Sequence, residues 1–213
     1  MKAFLLIPGL LVVLVAFTGC TTPEAYDYTN FRAHPPRSVL VLPPLNESTD
    51  VRGTYSCLST VTRPLAEMGY YVFPVVVVDE FMKENGLPTA GEMHQAPLDK
   101  IHDAFGADAV LYLTLKQYGS KYQVVTSTVI VSVEGKLVDV RTGTTLWEGS
   151  ANVQQSSSGG GGLADLIAAA VDQVINSSTD QAHNITQQAN TRMLTTKDQG
   201  LLYGPYHPKE KEQ

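Results

Sequence analysis

Residues 137–151 read LVDVRTGTTLWEGSA. Two mainly apolar stretches flank a short polar one, Arg141-Thr142-Gly143-Thr144. Gly143 supplies the positive φ that a tight turn requires. Asp139 stands where its carboxylate can accept N–H bonds from that turn, and Trp147 where an indole can cover a sheet face. The stretch therefore reads as an antiparallel hairpin. Just upstream, YQVVTSTVIVSVE (122–134) alternates and is rich in Val and Thr, and Gly135-Lys136 reads as a further turn into Leu137–Val140. The whole segment predicts an antiparallel meander.

The chain before the meander has a different rhythm. Ser38-Val-Leu-Val-Leu42 is continuously apolar and stops at Pro43-Pro44, the pattern of a strand covered on both faces. Asn46–Asp50 reads as a polar loop. From Thr54 to Met68, the positions Cys57, Leu58, Val61, Leu65 and Met68 have helical spacing, Pro64 would bend or interrupt the helix, and Gly69 ends it. Tyr70–Val78 reads as a second strand with a break at Pro74. Asp79–Asn85 reads as a short helix, followed by a loop of Pro, Gly and Thr. Leu98, Ile101, His102 and Phe105 share a helical face closed by Gly106, and Asp108–Leu115 (DAVLYLTL) is a third buried strand. Strand–helix–strand–helix–strand order predicts parallel pairing with helices packed on the sheet. The expected fold is α/β: a mixed sheet of parallel strands from a βαβαβ unit, then the meander, then C-terminal helices.

After the meander, SSSGGGG (156–162) predicts a mobile loop. Leu163, Leu166, Ile167, Ala170, Val171, Val174 and Ile175 mark an amphipathic helix. A polar break at 176–180 precedes a weaker helix, whose stripe of Ala182, Ile185, Ala189 and Met193 fits either its own domain or another subunit. KDQGLLYGPYHPKEKEQ ends the chain with a hydrophobic knot and a charged tail.

Composition narrows the chemistry. The formal charge is −6, so no basic field draws nucleic acid. Beyond Cys20 the only cysteine is Cys57, which has no intramolecular disulfide partner and reads as a buried, inert thiol. His34, His94, His102, His183 and His207 are scattered without metal-ligand spacing. The GGGG run lacks the phosphate-loop pattern and its Lys, and Asp165 would repel an anion. No Gly-x-Ser-x-Gly elbow is present, and Asp79-Glu80 favours the start of a helix over acid–base work. No catalytic residue, metal or cofactor is expected. Tyr112, Tyr118, Tyr122, Tyr203 and Tyr206 remain as amphipathic anchors that either line an interface or fill the core rim.

The N-terminus supplies a location. Lys2 precedes an apolar run, Ala3–Ala16, of signal-peptide length and short for a membrane span. Phe17-Thr18-Gly19-Cys20 resembles the lipobox of bacterial lipoproteins, with Phe17 where Leu is usual. The resemblance implies cleavage after residue 19 and lipidation of Cys20, and three acyl chains hold a protein on a bilayer almost irreversibly. Thr21, in place of Asp, implies sorting to the outer membrane. Residues 20–37 read as an extended tether, on which Tyr26, Tyr28 and Phe31 either pack back onto the domain or ride free. Residues 38–194 form the domain and 195–213 the tail.

LVLPP, DAVLYLTL and above all LVDVRTGTTLWEGSA resemble the hairpin-bearing domain shared by TolB amino-terminal-like proteins and the curli-secretion-channel (CsgG) superfamily. The matching positions are Asp139, Gly143 and Trp147. The whole mature chain, including LLYGPYHP, resembles the outer-membrane lipoprotein family typified by a meningococcal genome-derived antigen. That resemblance implies a lipid-anchored, periplasm-facing accessory of a trans-envelope transport complex. The implied partner is a CsgG-like lipoprotein or another envelope protein, and homo-oligomerisation and surface exposure are compatible with it. The resemblance carries no catalytic residue. The competing expectation is a receptor for a peptide or glycan, with its cleft at the strand C-terminal ends.

Overall fold

The computed structural model describes residues 25–122, 126–158, 178–209 and 211. Its centre is one mixed sheet. Strand β1 (Ser38–Val41) pairs parallel with β3 (Tyr71–Val72) on one side and with β4 (Ala109–Tyr122) on the other. The short β2 (Leu45–Asn46) continues along the same flank of β4, also parallel. β4, β5 (Thr126–Asp139) and β6 (Thr145–Ser158) form the antiparallel meander, so the order is β3-β1-β4-β5-β6. The expected mixed α/β fold is the one observed.

The continuous apolar run in β1 has the expected cause. Val39 and Val41 enter one core, while Leu40 and Leu42 enter a second core on the opposite sheet face. On the first face, Leu111, Leu113, Leu115, Val131, Val133 and Leu137 pack against α2 (Arg52–Glu67) and α6 (Ser178–Thr195). On the second, Val110 and Val140 meet α3 (Val75–Glu84), α4 (Ala90–Met93) and α5 (Leu98–Phe105) through Val78, Met82, Met93 and Ile101. Each fully buried side chain of this size contributes roughly 1.5–3 kcal/mol relative to exposure.

Several expectations are corrected. The strand expected over Tyr70–Val78 stops at Val72, because Pro74 caps a helix that begins at Val75. Burial of Val78 and Met82, one turn apart, outweighs the β preference of four consecutive valines. The turn expected at Gly135-Lys136 does not exist, since β5 runs unbroken from Thr126 to Asp139. Pro64 does not interrupt α2, which continues through it to Glu67; the ring removes one N–H bond, that to the Thr60 carbonyl. The loop read over 86–97 contains α4, opened by a reciprocal Thr89/Glu92 capping box. Asn46, expected in a loop, ends β2. Ser156–Ser158 belong to β6, and the rest of the expected glycine loop and the Leu163–Ile175 helix lie outside the described residues. Ser178–Asp180, expected within a polar break, open α6.

Both flanking segments of the described residues, from Tyr26 and through Tyr206, join the domain. Of the two readings of the N-terminal aromatics, packing back is observed. Residues 29–33 form helix α1 (Thr29–Ala33), Phe31 is buried, and Tyr26 and Tyr28 pack on the first core. The Tyr26 amide donates to the Asp198 carbonyl at 2.9 Å. At the other end Leu201 is buried, the Gly204 amide donates to Met68 at 2.8 Å, and the Tyr70 hydroxyl donates to the Leu202 carbonyl. Ala182, Ile185, Ala189 and Met193 of α6 all bury against their own domain. The α2–α6 contact also holds a polar seam. Buried Asn190 donates to the Cys57 carbonyl at 3.0 Å and to the Thr60 hydroxyl at 2.9 Å.

Candidate functional site

The hairpin that opens the sequence argument is a rigid joint. Asp139 Oδ1 accepts from the Arg141 and Thr142 amides (3.0 and 2.8 Å) and from the Thr142 hydroxyl (2.9 Å), while Gly143 adopts φ 70°. The joint is tied to Asp108, which sequence reading placed only at the head of a strand. Asp108 Oδ2 accepts from the Arg37 and Ser38 amides, Oδ1 accepts from Arg141 Nη2 at 2.9 Å, and the Val140 amide donates to the Asp108 carbonyl at 3.0 Å. Burial by itself would raise the Asp108 carboxyl, yet the Arg37 and Ser38 amides and the Ser38 hydroxyl, with the Arg37 charge, hold it below the usual carboxylate range. One carboxylate thus fastens the N-terminal ends of β1 and β4 to the β5–β6 turn. It is a structural hub.

Trp147 is likewise structural. Gly135 and Gly149 face each other across β5 and β6, and the fully buried indole lies over them. A Cβ on Gly149 would lie 2.6 Å from Trp147 Cη2, and one on Gly135 3.4 Å from Cζ3. Trp147 Nε1 donates to the Gln199 carbonyl at 2.9 Å, tying the tail to the sheet. Gly135 therefore lies within a strand and not in a turn, and a Cβ there would meet Met193 at 3.1 Å before it met the indole.

The five tyrosines do not form one surface. Tyr118 fills the first core, Tyr112 packs at the rim of the second beside His94, Tyr203 stacks on His207, and Tyr206 is exposed. Tyr122 lies on β4 with its side chain outside the described residues, as is Cys20. The β4 bulge between Leu115 and Gln117 changes which residues face the first core, and this separates Tyr112 from Tyr118.

The Cys57 thiol is enclosed, and burial pushes it up to about 12. Ser56 Oγ lies 3.0 Å from His183 Nδ1 between α2 and α6, with Ser56 buried and His183 exposed. Among the described residues no cluster of three His, Cys, Asp or Glu could hold a metal, and no helix is long and apolar enough to cross a membrane.

Two surfaces among the described residues bear on binding. One is a cleft of ≈ 630 Å³ over the middle of the meander, lined by Tyr26, Tyr112, Thr114, Lys136, Glu148 and Gln199. It does not lie at the parallel-strand C-terminal ends where a receptor cleft was expected. Its floor is a cross-strand Lys136–Glu148 pair at 3.0 Å. The other is an apolar ridge at the β3 edge. Tyr71, Phe73, Phe105 and Phe81 form a chain of edge-to-face rings with centroids 4.8–6.1 Å apart. Val76 and Val77 on α3 add to it at 77 % and 61 % exposure. Tyr55, exposed on the neighbouring α2, lies on the other flank of α3, its hydroxyl accepting from Lys83 Nζ at 3.3 Å. Sequence reading missed this ridge because Val75–Val78 looked like a buried strand. Contiguous exposed apolar surface marks an interaction site more often than scattered residues do.

The family described as "Putative lipoprotein GNA1162-like" matches residues 26–206. The chain belongs to this family. The matched range begins at the docked Tyr26 and ends in the tail that closes over Gly69, so it coincides with the packed unit. The protein named "Putative lipoprotein NMB1124/NMB1162" from Neisseria meningitidis serogroup B (strain ATCC BAA-335 / MC58) is 44 % identical over 205 residues, covering 94 % of this chain and 95 % of its own length. The crystal structure of lipoprotein GNA1162 from Neisseria meningitidis is similar at 46 % identity with a TM-score of 0.56, covering 67 % of this chain and 100 % of that one. The GNA1162-like family is thus a lipoprotein family with this mixed α/β fold.

Proposed function

We propose that this GNA1162-like protein is a non-enzymatic adaptor, held by lipid on Cys20 at the periplasmic face of the outer membrane. It serves a trans-envelope transport complex with a CsgG-like lipoprotein or a comparable envelope protein as partner. One geometric observation carries the reading: the N-terminal segment and the apolar ridge lie at opposite edges of one rigid sheet. Tyr26 docks beside β6, where its hydroxyl accepts from the Glu148 amide, whereas the ridge is built around β3. Four strand spacings separate these edges, about 19 Å. From Cys20 to Tyr26 the chain spans at most about 22 Å. A lipid on Cys20 would hold the β6 edge within about 22 Å of the bilayer, with the ridge at the far edge of the sheet.

Two measurements test this. Palmitate labelling and membrane fractionation of wild type and Cys20→Ala should show loss of both label and membrane association in the variant. Labelling that survives the substitution rejects the anchor. Crosslinking in intact membranes should recover an envelope protein, and recovery of monomer alone rejects the adaptor role. A receptor for a peptide or glycan is the second reading, supported by the polar cleft with Tyr26 and Tyr112. Stabilisation by a small ligand in a thermal-shift screen, without any protein partner, would favour it.

A further inference from the structure

The docked N-terminal segment is held at few points. Between residues 25 and 35 only Phe31 is buried, while Tyr26 and Tyr28 are half-buried. Helix α1 is a single turn that no side chain caps, and a turn of that length has no stability of its own. The segment adds no strand to the sheet. Four neutral hydrogen bonds link it to the domain. The Tyr26 amide donates to the Asp198 carbonyl at 2.9 Å and the Tyr28 hydroxyl to the Gly200 carbonyl; the Glu148 amide donates to the Tyr26 hydroxyl at 3.1 Å, and Asn30 Nδ2 to the Thr145 carbonyl at 3.3 Å. The chain just beyond is fixed far more firmly. The Asp108 carboxylate clamps the Arg37 and Ser38 amides, and β1 is paired on both sides. Between the two, Ala33, His34 and Pro35 are exposed, and Pro35 and Pro36 have no N–H to give. The segment can therefore leave the domain without disturbing the sheet, as locally opening units do.

We propose that residues 26–34 form a releasable strap that sets how far the domain reaches from the membrane. The proposal rests on the lipid anchor at Cys20 and adds its regulation. With the strap docked, the chain is fixed from Tyr26 and spans at most about 22 Å from Cys20. With the strap released, the first fixed point is Arg37 on Asp108, and the reach rises to about 60 Å. The dock also meets the only tryptophan. The consecutive carbonyls of Asp198, Gln199 and Gly200 accept from Tyr26, the Trp147 indole and Tyr28. Energy transfer from Trp147 to a bilayer acceptor therefore reports the height of the domain.

The test uses the full lipidated protein in vesicles carrying dansyl-labelled lipid, with palmitate on Cys20 checked by mass spectrometry. Hydrogen exchange should be at least about a hundredfold faster for the amides of residues 30–34 than for those of Val39–Val41. Asn190→Ala, which weakens the whole domain, should speed exchange in β1 and leave the strap unchanged. Tyr28→Phe should speed strap exchange about fivefold, the effect of one neutral hydrogen bond. Tyr28→Phe/Phe31→Ala should lower transfer from Trp147 to the labelled lipid. Strap exchange no faster than that of β1, or a strap that follows β1 in Asn190→Ala, overturns the proposal while the anchor reading stands. Transfer unchanged in a double variant whose strap exchanges freely also overturns it. If Cys20 carries no lipid, the anchor reading and the proposal fall together.

Discussion

Adding one methyl group at Gly149 should dislodge the only tryptophan in the chain. The new Cβ would lie 2.6 Å from Trp147 Cη2 and 3.0 Å from Cε2, with Cζ2 closer still. Carbon atoms rest about 3.5–4.0 Å apart, so the indole must move by roughly an ångström or more. The ring is fully buried and held by its 2.9 Å bond to Gln199, so little room exists for it to move into. Overpacking costs about 1–3 kcal/mol and loss of the N–H···O bond about 0.5–1.5, while alanine in a strand gains about 0.5–1 over glycine. The net destabilisation is about 2 kcal/mol, or a fall in Tm of about 4–8 °C for a chain of this size. Gly135→Ala should cost less, because its Cβ would meet the flexible Met193 side chain at 3.1 Å and the indole only at 3.4 Å. Thermal unfolding followed by circular dichroism measures both. Intrinsic emission reports the indole directly, since Trp147 is unique, and should shift to the red in Gly149→Ala. The decisive control is Gly149→Ala in a Trp147→Leu background, where the penalty should vanish or change sign. An equal fall in Tm in both backgrounds would show that the glycine is required for its backbone and not for the ring above it.

Three further predictions address other parts of the molecule. Native Cys57 should resist thiol reagents at neutral pH and react only on unfolding; stoichiometric labelling of the folded protein would contradict its enclosure. Because its folded pKa is raised to about 12, its contribution is intact below the unfolded value near 9 and is lost as pH rises from there toward 12. A Cys57→Ala variant should flatten that alkaline loss, and an identical alkaline profile would exclude the thiol as its source. Asp108 has the opposite sign. Its lowered pKa stabilises the fold above about pH 4 and ceases to do so below it, so Asp108→Asn should cost about 2–4 kcal/mol at pH 7 and show a shallower acid transition. An unchanged acid slope would remove Asp108 from the hub. Asn190→Ala, which deletes two donated hydrogen bonds and opens a buried cavity, should cost about 2–4 kcal/mol; a Tm within about 2 °C of wild type would show that the seam does not fix α6 on α2.

The parallel half of the sheet was legible because its burial is written in consecutive residues. Val39–Leu42 and Ala109–Leu111 are apolar at every step, the pattern of a strand covered on both faces. Val75–Val78 carries the same local signal and is a helix. What separates the two cases is Pro74, which starts a helix well and continues a strand badly, together with Met82 one turn after Val78. The apolar ridge was hidden by the same misreading. A four-valine strand buries its valines, whereas a helix turns Val76 and Val77 outward.

The glycines show why hairpin and site were only partly legible. Gly143 follows Asp139 by four residues, and its positive φ and that carboxylate belong to one turn, so the local sequence holds both halves of the cause. Gly135 has no such partner nearby. Its neighbours are Met193, 58 residues on, and an indole twelve residues away, brought over it only once the sheet and α6 have assembled. The same holds for Asp108, whose donors come from Arg37, Ser38 and Arg141 and cannot be anticipated from its own neighbours. A residue serving its own turn declares itself in sequence, while a residue serving a distant strand looks like a turn-former or a strand cap until the sheet exists. The ridge follows this rule as well: its rings come from β3, α3, α5 and the link between them, and only the folded edge makes them one surface.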